Sequence, residues 1–124
     1  MRYLVRTAVI ALAACSDPSG PVEIVTTPQQ ALRIDNRTAA PIYYFAVELN
    51  AAALINWAPC RDPGTCDGIQ PGHSRQVPFS EIGFYSPSAQ DALVYWWHLI
   101  PAGGGTFVPD TLRVVQVALG PGVQ

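Results

Sequence analysis

The chain contains no lysine, and charged residues make up only 13% of its 124 positions. All of its basic side chains are arginines, and two of them, Arg2 and Arg6, lie at the start of the chain. Without a basic cluster, a protein cannot neutralise many nucleic-acid phosphates or dock electrostatically on anionic lipid. We therefore expect no nucleic acid among its partners.

Long apolar runs and catalytic motifs are also missing. The apolar stretch that ends at Ala14 is far shorter than the roughly 20 residues of a membrane-spanning helix. There is no nucleophile elbow, zinc-protease motif or phosphate-binding loop. A Ser–His–Asp trio can be assembled on paper from Ser80, His98 and Asp110, but any chain with many serines allows such a choice. We predict that the chain is not an enzyme and uses no metal or other cofactor.

The first fifteen residues follow the order of an export signal. Two arginines precede a short apolar region, which ends in small residues before Cys15. The stretch Leu12-Ala13-Ala14-Cys15 resembles the lipobox of bacterial lipoproteins at every position. The resemblance implies that residues 1–14 are a signal peptide, and that Cys15 receives lipid and becomes the new N-terminus.

A lipid on Cys15 implies a protein of the cell envelope whose first partner is a membrane. Ser16 replaces the Asp that favours inner-membrane retention in enterobacterial lipoproteins, so the resemblance implies the outer membrane, with the domain facing the periplasm or the cell surface. Residues 15–30 are polar and rich in chain breakers, and we expect them to form a flexible tether. Without residues 1–14, five arginines stand against nine acidic residues, a formal net charge of −4.

If Cys15 carries lipid, the two remaining cysteines, Cys60 and Cys66, form an even pair. They bracket an Asp-Pro-Gly turn signal, and an envelope location allows their oxidation. We predict a disulfide that closes one loop. A metal site formed with His73 and His98 is the alternative, but the cysteine spacing exceeds that of zinc sites and no His pair follows.

The rest of the sequence alternates short apolar stretches with turn signals and shows no helical period. Residues 51–57 are ambiguous between a helical turn and a strand, and three consecutive glycines predict a flexible turn at 101–106. Strands are predicted at 31–35, 42–49, 92–100 and 111–119, with a candidate first strand at 22–26 and an extended segment within 69–79. We expect an all-β fold, a small antiparallel β-sandwich of about six or seven short strands over residues 31–124. Its pattern resembles immunoglobulin-like domains.

The strands at 42–49 and 92–100 are apolar on both faces. We therefore use their polar residues to decide which face points outward. If Glu48 and His98 point outward, the face with Tyr43, Phe45, Tyr95 and Trp97 points inward. The opposite face is too apolar to be solvated. Either the segment 51–66 or a partner should cover it. The predicted contact patch on that side consists of Ile42, Tyr44, Trp57, Val94 and Trp96.

These observations predict a lipid-anchored cell-envelope protein that acts as a non-catalytic structural or interaction module. An envelope protein or a glycan would be its partner. The alternative is a binding module for a glycan or a small apolar ligand that uses exposed aromatic side chains. That alternative depends on Tyr44, Trp57 and Trp96.

Overall fold

A computed structural model describes residues 21–120. The predicted signal peptide, Cys15 and the start of the predicted tether lie outside these residues. The described strands are β1 Val22–Thr27, β2 Ala31–Asn36, β3 Ile42–Glu48, β4 Gly68–Ile69, β5 Ser74–Pro78, β6 Asp91–Trp97, β7 Leu99–Gly103, β8 Thr106–Pro109 and β9 Arg113–Ala118. A one-turn helix, α1 (Leu49–Ala52), follows β3, and a 3-10 turn covers Phe79–Glu81. Within residues 21–120, no helix is long and apolar enough to cross a membrane.

Two antiparallel sheets form a sandwich, which confirms the predicted fold class. One sheet has the order β1-β2-β5 and the other has the order β4-β3-β6-β9. Three strands therefore lie in one sheet and four in the other. The described chain has nine strands, seven of them in the two sheets, against the six or seven expected over residues 31–124. A separate two-stranded hairpin, β7–β8, lies in the connection between β6 and β9.

The core lies between the two sheets. Leu32 and Ile34 of β2 belong to one buried cluster with Ile42 of β3 and with Val94 and Trp96 of β6. The ladder between β3 and β6 runs from Tyr43 opposite Trp97 to Glu48 opposite Ala92. The sequence assignment of the faces is therefore wrong, because the face with Ile42, Val94 and Trp96 points into the core.

The error has a physical cause. Glu48 and His98, the polar residues used to assign the faces, lie at the strand ends. Glu48 caps α1, where its carboxylate accepts a hydrogen bond from the Ala51 N–H (2.9 Å). His98 follows the last residue of β6 and bonds to Asp110. Neither residue therefore indicates which face of the strand is buried along its middle. The opposite face is also covered, so Trp97 is only 1% exposed.

The N-terminal boundary of the sandwich also differs from the prediction. Residues 22–30 were expected to belong to the tether, but β1 pairs with β2 along its whole length, from Val22 opposite Asn36 to Thr27 opposite Ala31. The candidate strand at 22–26 is thus confirmed. The tether assignment is wrong for these residues because strand pairing holds them in the sheet.

Candidate functional site: the hairpin end of the sandwich

Four parts of the chain meet at one end of the sandwich, which we call the hairpin end. The chain enters there at Pro21, whose carbonyl accepts a hydrogen bond from the Arg37 N–H (2.8 Å). The loop 37–41 connects β2 to β3 at this end, and the turn 70–73 lies beside it, with the Gly72 N–H donating to the Asn36 carbonyl (2.7 Å). The hairpin β7–β8 follows β6 at the same end, because Trp97 pairs with Tyr43 at the start of β3.

The hairpin forms an arm over residues 99–109 that continues β6 and β9 beyond the sheet. Leu99 pairs with Pro109 and Ile100 with Val108, and neither strand of the arm pairs with the two sheets. The turn at 103–105 uses φ angles of 94°, 63° and 78°. Residues with a side chain rarely adopt such backbone angles, which explains the three consecutive glycines. The expected flexible turn is therefore the tip of a defined hairpin.

A polar cluster closes the base of the arm. The His98 N–H donates to Asp110 Oδ1 (2.9 Å), and the Asp110 N–H donates to the His98 carbonyl (3.0 Å). The imidazole Nδ1 lies 3.1 Å from Asp110 Oδ2, and Nε2 lies 2.9 Å from Thr38 Oγ1. His98 therefore links both strands of the arm to the loop 37–41.

Asp110 is the centre of this cluster. Burial alone would raise the pKa of its carboxyl group. Hydrogen bonds from the backbone N–H groups of His98 and Thr111, and from the side chains of Arg113 and His98, outweigh burial and hold the pKa well below its usual range. Arg113 also lies over the Trp96 ring, 4.3 Å from its centroid, which joins the cluster to the core.

Replacing Asp110 should change how stability depends on pH. The carboxylate stabilises the fold above the ordinary aspartate pKa of about 4, and this contribution is lost as the pH falls through the depressed pKa. We expect Asp110→Asn to lower the free energy of unfolding by about 1–2 kcal/mol at pH 7, because charge-assisted hydrogen bonds are lost. The difference from wild type should shrink below about pH 4.

Urea unfolding at pH 7 and at acidic pH measures this difference. Glu81→Gln is the control, because Glu81 is an exposed carboxylate. A constant difference between Asp110→Asn and wild type across this pH range would contradict the proposed role of the ionised carboxylate.

Asn36 supports the same end from the inside and is the one buried polar side chain among residues 21–120. Its amide nitrogen donates to the carbonyls of Ala40 (2.9 Å) and Ile69 (2.8 Å). Its amide oxygen accepts from the N–H and the hydroxyl of Thr38. One side chain therefore ties the loop 37–41 to β4.

The structure separates the Ser–His–Asp trio that the sequence allows on paper. Asp110 contacts His98, but Thr38, and not Ser80, occupies the other side of the imidazole. The Thr38 hydroxyl also lies within hydrogen-bond distance of Asn36 Oδ1 (2.7 Å) and the Ala40 carbonyl (2.9 Å). These contacts give Thr38 a structural role in the loop, since its hydroxyl is held among acceptor oxygens.

An aromatic cluster covers the outer face of the four-stranded sheet. The Trp57 ring centroid lies 4.4 Å from that of Phe45, 4.9 Å from that of Tyr95 and 6.0 Å from that of Trp97. We call residues 53–67, which carry Trp57 and contain no strand, the covering segment. The predicted disulfide between Cys60 and Cys66 is present in it. The Trp97 indole N–H donates to the Cys60 carbonyl (3.1 Å).

A groove of about 380 Å³ lies beside β3, next to the covering segment. The Tyr44 side chain lines it, together with the exposed carboxylates of Asp67 and Glu81. Burial raises the pKa of Tyr44 against the opposing effect of the Arg75 guanidinium. Arg75 also donates to Asp67 Oδ2 (2.8 Å), so the exposed carboxylate of Asp67 forms an ion pair at the edge of the groove.

The residues of the predicted contact patch do not share one surface. Ile42, Val94 and Trp96 are buried between the sheets, and Tyr44 is half-buried beside them. Trp57 lies on the opposite face of the same sheet. The patch is therefore a wrong prediction, because it followed from the reversed assignment of faces. Sequence reasoning missed the arm and Asn36, although the three glycines marked the arm's turn.

The chain matches no protein-family model, no curated protein and no solved structure.

Proposed function

We propose that this protein is a bacterial lipoprotein, anchored in the outer membrane through lipid on Cys15, whose sandwich acts as a non-catalytic interaction module of the cell envelope. The observation that carries the proposal is the order of the first fifteen residues: arginines, a short apolar region, small residues and Cys15. A transmembrane helix would need a longer apolar run.

The position of the sandwich is compatible with this anchor. β1 begins at Val22, seven residues after Cys15, so cleavage before Cys15 would leave every described strand intact. The disulfide between Cys60 and Cys66 suits an oxidising compartment outside the cytoplasm. Both features support export, and neither depends on the identity of a partner.

The polar groups at the hairpin end support a structural role over a catalytic one. His98, the best candidate for a general base, is held between Asp110 and Thr38, and the Thr38 hydroxyl lies among acceptor oxygens. Exposed apolar side chains accompany these groups at Ile100 in the arm and at Leu112 and Val114 beside it. Single exposed apolar side chains are common on protein surfaces, so these residues are compatible with a partner but do not identify one.

Replacing Cys15 tests the anchor. Wild type should partition into the detergent phase and incorporate a labelled fatty acid, whereas Cys15→Ala should stay uncleaved or appear in the soluble fraction without label. Ser16→Ala is the matched control and should keep both the label and the detergent partitioning. Wild type that remains in the aqueous phase and carries no lipid would refute the lipoprotein proposal.

A further inference from the structure

We propose that the arm, residues 99–109, is a second membrane contact that places its tip in the interface of the bilayer carrying the Cys15 lipid. The inference rests on the proposed function, because it needs the lipid on Cys15. It goes further by assigning a lipid surface to the arm and an orientation to the domain.

The composition of the arm favours lipid. Residues 99–109 contain no charged side chain, and Thr106 is the one residue among them with a polar side chain. Residues 100–106 are all exposed, and the exposed fraction of Ile100 is 45%. An exposed hairpin of this composition gains free energy when its apolar surface leaves water. With no basic residue in the arm, electrostatic attraction to anionic lipid contributes little.

The geometry brings the arm to the anchor. Pro21 is tied to Arg37 at the hairpin end, so the described chain begins on the side where the arm projects. The six residues from Cys15 to Pro21 span at most roughly 20 Å. The strand Leu99–Gly103 is about 13 Å long.

These two lengths allow the tip of the arm to reach the surface that carries the Cys15 lipid. Tethering also raises the effective concentration of the arm at that surface, so a weak apolar contact is sufficient. The hydrogen-bond pattern limits the depth of the contact. The backbone groups of Gly104 at the turn need water or headgroups as partners, which the interface supplies and the hydrocarbon core does not.

The base of the arm can hold it at a fixed angle to the sandwich. Asp110 bonds to His98 and Arg113, and His98 contacts Thr38, so both strands of the arm are connected to the loop beside Pro21. The charges at the base of the arm are paired within this cluster. The domain can therefore approach the bilayer without leaving an unpaired charge at the arm's root.

Fluorescent labelling of the lipidated full-length protein in phosphatidylethanolamine–phosphatidylglycerol vesicles tests the inference. Ala102→Cys adds one free thiol at the tip, since Cys60 and Cys66 are joined in the disulfide. An environment-sensitive dye on this thiol should shift to the blue, and iodide should quench it several-fold less than in lipid-free Cys15→Ala protein. Lipid carrying a quencher near its headgroup should quench it strongly.

Leu54→Cys provides the matched control at the opposite end of the sandwich. Leu54 is 85% exposed and follows α1, at the far end of β3, so a dye there should remain accessible to iodide. Adding Ile100→Asp to the Ala102→Cys protein should abolish the blue shift while the vesicle-bound fraction stays unchanged. A lost blue shift together with unchanged vesicle binding distinguishes the contact made by the arm from binding through the lipid anchor.

Each remaining outcome would overturn the inference in a recognisable way. Equal quenching by iodide at positions 102 and 54 in vesicle-bound protein would place the arm in water and leave the lipid anchor standing. Protection of position 102 that rises with protein concentration without vesicles would identify a second copy of the chain as the occupant. Protein that carries no lipid and does not bind vesicles would refute the proposed function, and the inference with it.

Discussion

Trp96→Ala should lower the free energy of unfolding by about 3–5 kcal/mol, as other losses of a large buried side chain do. The Trp96 ring is 6% exposed, belongs to the core between the sheets and lies beneath the Arg113 guanidinium. Truncation would leave a cavity between β6 and the facing sheet. Denaturant unfolding followed by far-UV circular dichroism measures the change without relying on tryptophan fluorescence.

Val114→Ala is the matched control for Trp96. Val114 lies on the neighbouring strand β9 and is 53% exposed, so its truncation should change stability by less than about 0.5 kcal/mol. If Trp96→Ala does not fold, Trp96→Phe should still fold with an intermediate loss of stability. Equal effects of Trp96→Ala and Val114→Ala would show that Trp96 does not face the core.

Asn36→Ala should cost about 3 kcal/mol, although Asn36 is far smaller than Trp96. The substitution leaves the Ile69 carbonyl and the Thr38 N–H without the partner they have in the fold, while the Ala40 carbonyl keeps the Thr38 hydroxyl. Each buried polar group that loses its partner costs about 1–3 kcal/mol, partly relieved by water. The loss should appear in denaturant unfolding and in faster hydrogen exchange of the Thr38 amide.

Asn50→Ala serves as the control for Asn36. Asn50 is exposed, and its amide bonds to the Glu48 carboxylate (3.1 Å) at the surface. Its loss should cost less than about 0.5 kcal/mol. An effect of Asn36→Ala no larger than that of Asn50→Ala would mean that water replaces the amide completely, and that the loop 37–41 does not depend on it.

The sequence was sufficient to predict the architecture, because turn signals separate strands of ordinary length and no long stretch shows a helical period. It was also sufficient for the disulfide, since an Asp-Pro-Gly turn lies between Cys60 and Cys66. Strand pairing was harder to predict from the sequence. Residues 22–26 were recognised as a candidate strand but were placed in the tether, because the sequence does not show that they pair with β2.

The orientation of β3 and β6 could not be predicted, because both faces of these strands are covered. Period-two alternation identifies a buried face only when the other face meets water. Here the sandwich covers one face and the covering segment covers the other. The polar cluster at the hairpin end was equally inaccessible to sequence reasoning, since Thr38 and His98 are 60 positions apart and meet only in the folded chain.

The covering segment also suggests that this domain can open in two steps, first by detachment of the segment and then by unfolding of the sandwich. No strand pairs within residues 53–67, so the segment can detach while the ladder between β3 and β6 remains intact. Its attachments include the stacking of Trp57 and the bond from Trp97 to the Cys60 carbonyl, and the disulfide limits how far the loop can spread. The sandwich can thus form before Cys60 and Cys66 pair. Until Cys60 and Cys66 pair, the covering segment can move farther from the outer face of the sheet, where Trp57 contacts Phe45.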